Sequence, residues 1–401
     1  MPRAGASPPR NRRALDLLNF FVADVQTGFG PFVAVYLTTH KWTQVQIGFV
    51  LTLGTVVALV SQVPAGALVD AASNKRATAG AALGFVIIAA LLLAFRPTPL
   101  PVMVAQTLHA SASCVLTPAI AAISLHLVGH VALGERLGRN ARYASLGNGL
   151  AAAVMGATGA LLSSRAVFLM TAALCVPALL SLVAIGRGEH ARQQTTARVL
   201  DWQGLRRLFT NRPLLIFACA VVLFHLSNAA TLPLVGATVT MRAGAFANVI
   251  IAACIVVPQL VVAICSPAIG RAAAERGRRP ILILGWCALP LRGFLLAVLP
   301  GAWLPIAAQA ISGISGAVFG VMLPLLAADI TRGTSHFNLC MGALGLAVSL
   351  GAAVSTSVAG WIADAAGVQV AFASLALVGV AAALFVWLAM PETEPVPAAA
   401  S

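Results

Sequence analysis

The sequence predicts an all-α integral membrane protein of twelve transmembrane helices, arranged as two six-helix bundles related by a pseudo-twofold axis. Three observations carry that expectation. Of 401 residues, 60% are hydrophobic and 9% charged, whereas soluble domains carry about 25% charged residues. Apolar runs near the length of about 20 residues that a bilayer-spanning helix needs recur twelve times. The two halves of the chain also match each other at a nearly constant offset.

The runs are separated by charged or Gly/Pro-rich stretches. They fall at 15–37, 45–69, 78–95, 99–128, 143–163, 167–186, 213–239, 246–269, 280–299, 303–328, 338–362 and 367–389. An even number of spans puts both termini on one side, and basic residues indicate which side. With both termini cytoplasmic, twenty of the 25 Lys and Arg residues fall inside. Lys41, Arg96, Arg165 and Arg242 occupy outer loops, and Arg292 lies within a span. A nucleic-acid surface would gather these charges in one place instead of dealing them to alternate loops. The net charge of +14 therefore reads as topology, and the expected location is a bacterial inner membrane.

Other chemistries find little purchase. The basic start MPRAGASPPRNRR leads into a span holding Asp16 and Asp24 without a small-residue cleavage site, so a removed signal peptide is not expected. The seven cysteines lie in or beside spans with no CxxC, which signals neither disulfides nor a zinc knuckle. There is no GxxxxGK[ST] loop, no GxSxG elbow and no HExxH. Neither an enzyme nor a primary pump is expected, and no cofactor.

The longest internal polar stretch, Arg187 to Arg212, is central and predicts bundles at 1–190 and 213–401 with a cytoplasmic linker at 191–212. A shift of about 203 residues lays Pro64-Ala65 on Pro267-Ala268, Lys75-Arg76 on Arg278-Arg279 and Gln106 on Gln309. Nearby shifts lay Pro31 on Pro233, Pro118 on Pro324 and Phe168 on Phe372. A six-plus-six parallel repeat is a transporter plan with its substrate site near the midplane.

After the second span comes GALVDAASNKR, Gly66 to Arg76, which resembles the loop signature of the major facilitator superfamily (MFS). Gly66, Leu68, Asp70, Lys75 and Arg76 match it, while Ala71 replaces the usual arginine and Ser73 the usual glycine. Asp329 to Gly367 also resembles uncharacterised bacterial members. The resemblance implies a monomeric secondary transporter with a small-molecule substrate, protons and the lipid bilayer as partners, and no nucleic acid. Drug/proton antiporters of this superfamily carry an arginine in the fourth span and a glycine-proline signature in the fifth. Here the fourth span has Gln106, and the fifth has Gly147, Gly149, Gly156 and Gly159 without a proline. The antiporter branch is therefore not implied, although those glycines would let helices slide closely.

The signature also has a physical reading. Gly66 allows close helix approach. Asp70 at a helix end can be held by the N-terminus of a neighbouring helix and by Arg139 or Arg142. Gly66, Asp70, Lys75, Arg76, Arg139 and Arg142 are thus candidates for a conformational latch.

Candidates for binding are polar groups too deep for loops, since an ionisable side chain in hydrocarbon costs about 2.5–3.5 kcal/mol on insertion scales. Asp24 lies about nine residues, roughly 14 Å, into the first span. Gln26, Gly28 and Gly30 follow, and Pro31 can break the helix. Asp24 is the first proton-coupling candidate, with a packing role as the alternative. His225 occupies the corresponding depth in the second half, with Asn228 on the same face and Pro233 beyond, and is the second. Arg292 could bind an anion or snorkel to the outer headgroups. Gln62, Gln106, Gln259 and Gln309 suit a neutral or zwitterionic solute, or serve as interhelical glue. His109 shares a face with Gln106 near Cys114 and Met103, but no ligand spacing supports a metal there or at His126 and His130. The expected function is proton-coupled movement of a small organic solute, with export favoured. An uptake symporter or uniporter for a metabolite or metal chelate, and a non-transporting sensor, are the alternatives.

Overall fold

Four of the described helices begin at a short polar side chain that satisfies free backbone N–H groups. Thr43 and Gln46 form a reciprocal capping box at the start of the second span. Asn74 accepts from the N–H groups of Arg76 and Ala77, Ser163 from Ala166, and Asn211 from Leu214. The computed structural model describes residues 9–27, 29, 31–186, 206, 210–242, 247–298 and 303–393, which contain helices and no strand.

The first seven helices are α1 (Pro9–Thr27), α2 (Pro31–Thr39), α3 (Gln44–Ala71), α4 (Lys75–Phe95), α5 (Pro99–Val128), α6 (Leu133–Leu161) and α7 (Ser164–Ala184). The second seven are α8 (Arg212–Asn228), α9 (Thr231–Arg242), α10 (Ala247–Arg276), α11 (Arg278–Val298), α12 (Leu304–Ile330), α13 (Phe337–Ala366) and α14 (Val368–Ala389). Ten spans are long and apolar enough to cross a membrane, with α8 and α9 counted as one. The broken first span, α1 with α2, and the more polar α6 complete the predicted twelve.

Two features of the described helices have physical causes. The first span of each half is two helical segments, divided before Pro31 in one and at Ala229-Ala230 in the other. Proline cannot donate the hydrogen bond that would carry a helix through its position. In turn, α6 starts ten residues before its predicted span, because the basic stretch around Arg136, Arg139 and Arg142 is helical as well.

By compactness the chain divides into Met1–Asp201 with Gly333–Ala343, and Trp202–Arg332 with Leu344–Ser401. The division falls within the stretch read as a linker, most of which lies outside the described residues. In the first unit α3 and α4 pack on α5, while α1 and α4 pack on α7. The second unit repeats this, with α10 and α11 on α12, and α8 and α11 on α14. Leu15, Leu83, Leu93, Leu116 and Phe168 fill the first core, and the Tyr36 hydroxyl donates to the Leu93 carbonyl at 2.7 Å. In the second unit Trp286 is buried and donates to the Ala220 carbonyl at 3.2 Å. Phe49, Val60, Leu100, Ile264 and Trp361 are exposed, as side chains facing lipid rather than water would be.

A candidate binding centre around Arg292

Arg292 sits two-thirds of the way along α11, a helix apolar enough to span the membrane. It does not reach out of the span: the residue is 2% exposed. Nη1 donates to Asn228 Oδ1 at 2.7 Å and to Ser312 Oγ at 2.8 Å, and Nη2 to Thr231 Oγ1 at 2.9 Å. These residues end α8, begin α9 and lie on α12, so the break in the seventh span delivers two of the three partners. All three are neutral. No carboxylate among the described residues pairs with Arg292, and its buried Nε–H has no hydrogen-bond partner. A buried guanidinium usually gains a carboxylate to offset its desolvation, so the centre lacks one negative charge and one acceptor.

His225 lies one turn earlier on α8. Its ring meets Phe319 edge-on at 4.8 Å and Phe224 at 5.3 Å, and its buried Nε2 is unpartnered. Phe224 stacks on Phe319 at 4.8 Å and tilts against Trp286 at the same distance. Asp24 lies on α1, but its side chain is outside the described residues, as are Gly28 and Gly30. Gln26 is half-buried near the end of α1.

The predicted glutamines separate into two kinds. Gln106 on α5 and Gln309 on α12 are buried, and each leaves one amide atom unpartnered, Oε1 in one and Nε2 in the other. Gln106 lies over Gly54 of α3, where an added Cβ would come within 2.5 Å of its amide nitrogen. Gln62 on α3 and Gln259 on α10 are half-buried. His109 stacks on Phe29 at 3.9 Å with the rings nearly parallel, and its Nε2 is 3.4 Å from Ser113 Oγ.

Around the loop signature, Asp70 accepts from the Asn338 and Leu339 backbone N–H groups at 2.9 and 2.7 Å, and from Asn338 Nδ2 at 2.7 Å. The carboxylate thus caps the start of α13, as a negative charge at a helix N-terminus should. Gly66 makes this possible, because a Cβ there would lie 2.1 Å from the Asn338 carbonyl oxygen. Lys75 donates to the Val69, Asp70 and Ala72 carbonyls at the end of α3, and Arg76 to the Ile185 carbonyl. Arg139 corrects the expectation that it would hold Asp70. It grips Asp16 instead, Nη2 to Oδ2 at 2.6 Å, while Arg142 lies three residues further along α6. Asp16 also receives the buried Arg136, which holds Asn140 at 2.8 Å, and Asn140 donates to Ser124 Oγ at 2.7 Å.

Sequence reasoning missed Thr231, Ser312, Asn338 and Glu392. Thr231 follows Asn228 by three residues and Ser312 follows Gln309 by three, so helical spacing could have found both. Glu392 accepts from the Arg278 and Arg279 backbone N–H groups at 2.8 and 3.1 Å, capping α11 from more than a hundred residues away. Arg278 pairs with Asp329 at 2.9 Å.

A multi-pass helical membrane protein with repeated six-span halves and a buried polar centre has the form of a membrane transporter. The family described as Major Facilitator Superfamily matches residues 15–259 and 234–401, and the chain belongs to that superfamily. An uncharacterised MFS-type transporter of Mycobacterium tuberculosis, found in two strains, is 38% identical over 399 residues, covering 97% of this chain and 95% of the relative. The human organic anion transporter MFSD10 superposes with a TM-score of 0.77 at 14% identity, over 94% of this chain and all of that one. FucP, an MFS transporter solved in an outward conformation, gives 0.77 at 16% identity, over 94% and 97%. At such identities these two structures establish the fold alone.

Proposed function

We propose that this MFS transporter is a proton-linked carrier of the inner membrane, with cytoplasmic termini, that exports a small organic solute by alternating access. The observation that carries the coupling is positional. Asp24 stands three residues before Thr27, where α1 stops, and His225 stands three residues before Asn228, where α8 stops. Each half therefore places one titratable group a turn ahead of the break in its first span. Breaks of this kind free backbone groups within the membrane, which is where transporters of repeated architecture gather substrate and coupling ions. His225 Nε2 is buried and has no hydrogen-bond partner, and an imidazole is the side chain whose ordinary proton exchange lies near neutral pH.

The test uses proteoliposomes holding the full chain, an imposed pH gradient and a solute found by thermal-shift screening. Wild-type protein should concentrate that solute against its gradient when the pH gradient is set, and Asp24→Asn should bind it but only equilibrate it. Accumulation by Asp24→Asn equal to wild type sinks the coupling role.

A further inference from the structure

We propose that the Arg292 centre is the recognition site for the carboxylate of a small aromatic monoanion. This rests on the transport reading and narrows its substrate. A guanidinium has five N–H donors, and Asn228, Ser312 and Thr231 engage three of them. The two left over are the Nε–H and one on Nη2, nitrogens that share one edge of the fork. Two adjacent donors on one edge match the two oxygens of a carboxylate. Thr231, which holds Nη2, is also the first residue of the twelve-residue α9. Pro233 in the first turn of α9 has no N–H and the Leu234 N–H donates to the Ala230 carbonyl, so the guanidinium rather than the helix end is the anion-binding element. Arg292 favours an anion, and no described carboxylate supplies one.

The body of the ligand follows from what adjoins the centre. His225 is one turn from Asn228 on α8, and Phe319 is two turns from Ser312 on α12, so each shares the face of its helix with an Arg292 partner. Their rings are in edge contact at 4.8 Å. Both are half-exposed, as are Asn228 and Ser312, whereas Phe224, Trp286 and Arg292 behind them are buried. A planar ring attached to a carboxylate at Arg292 would reach this wall, and aromatic groups pair with offset or edge-on geometry there. An aliphatic anion would use the fork but leave the wall empty.

Binding of benzoate, benzamide and acetate to the purified full chain tests this. Benzoate should bind saturably, benzamide at least tenfold more weakly for want of charge, and acetate at least tenfold more weakly for want of a ring. Arg292→Lys keeps the charge but loses the fork and should weaken benzoate at least tenfold. Asn228→Asp supplies the missing carboxylate from the protein itself, so it should abolish benzoate binding while raising the thermal midpoint. That pairing separates a ligand site from a merely structural arginine, and it does not depend on a variant that unfolds. Benzamide binding as tightly as benzoate, or Asn228→Asp binding benzoate like wild type, overturns the proposal. If benzoate fails to bind while another solute is moved by a pH gradient, the anion site falls and the transport reading stands. Benzoate binding without flux in either direction leaves the site standing and removes the transport reading.

Discussion

Asp16 holds two arginines of very different burial. The Arg136 side chain is 3% exposed and the Arg139 side chain 47%, against 4% for Asp16 itself. Removing one member of a buried pair strands the other charge and costs about 3–5 kcal/mol. Deleting an exposed partner forfeits roughly 0–1 kcal/mol. Asp16→Asn should therefore lower the thermal midpoint of the detergent-solubilised protein sharply, while Arg139→Gln should barely move it. Equal shifts would show that the carboxylate is solvated despite its position. Arg292 differs from Arg136 here, because its described partners are neutral oxygens only. One arginine is a completed structural pair and the other is an uncompensated charge. Burial alone would not tell them apart.

At the level of helices, close approach decides which glycines matter. A Cβ on Gly147 of α6 would lie 2.3 Å from the Phe20 carbonyl oxygen of α1, whereas one on Gly156 meets nothing within 4 Å. Gly147→Ala should push α1 and α6 apart and destabilise by about 1–3 kcal/mol. Gly156→Ala should be neutral or stabilise by up to about 1 kcal/mol, the helix-propensity difference. Thermal melts of the two variants check this, and a larger loss at Gly156 would contradict the packing. The fifth-span glycines look alike in sequence because composition carries no partner. The same limit explains what else was legible. Spans are local, so hydropathy shows them. Pro31 announced one broken span, while the break at Ala229-Ala230 precedes Thr231 and Leu232, with Pro233 only third in α9. Partners distant in sequence were not legible: Asn338 is 268 residues from Asp70, and Ser312 reaches Arg292 only once α11 and α12 pack. Arg139 takes Asp16 rather than Asp70, and charge complementarity alone fits both equally well.

For the molecule as a whole, the distribution of basic residues along the chain argues an orientation. Twenty basic residues on one set of loops against four on the other favour cytoplasmic termini, because Lys and Arg near span ends resist translocation. Lys41 and Ser73 lie in consecutive loops at opposite ends of α3, and both are exposed. In a protein stripped of its seven cysteines, Lys41→Cys should react with a membrane-impermeant maleimide in intact spheroplasts. Ser73→Cys should react only after the membrane is opened. The reverse pattern would invert the topology and turn proposed export into import. Labelling at both sites in intact spheroplasts would mean that α3 does not cross the membrane.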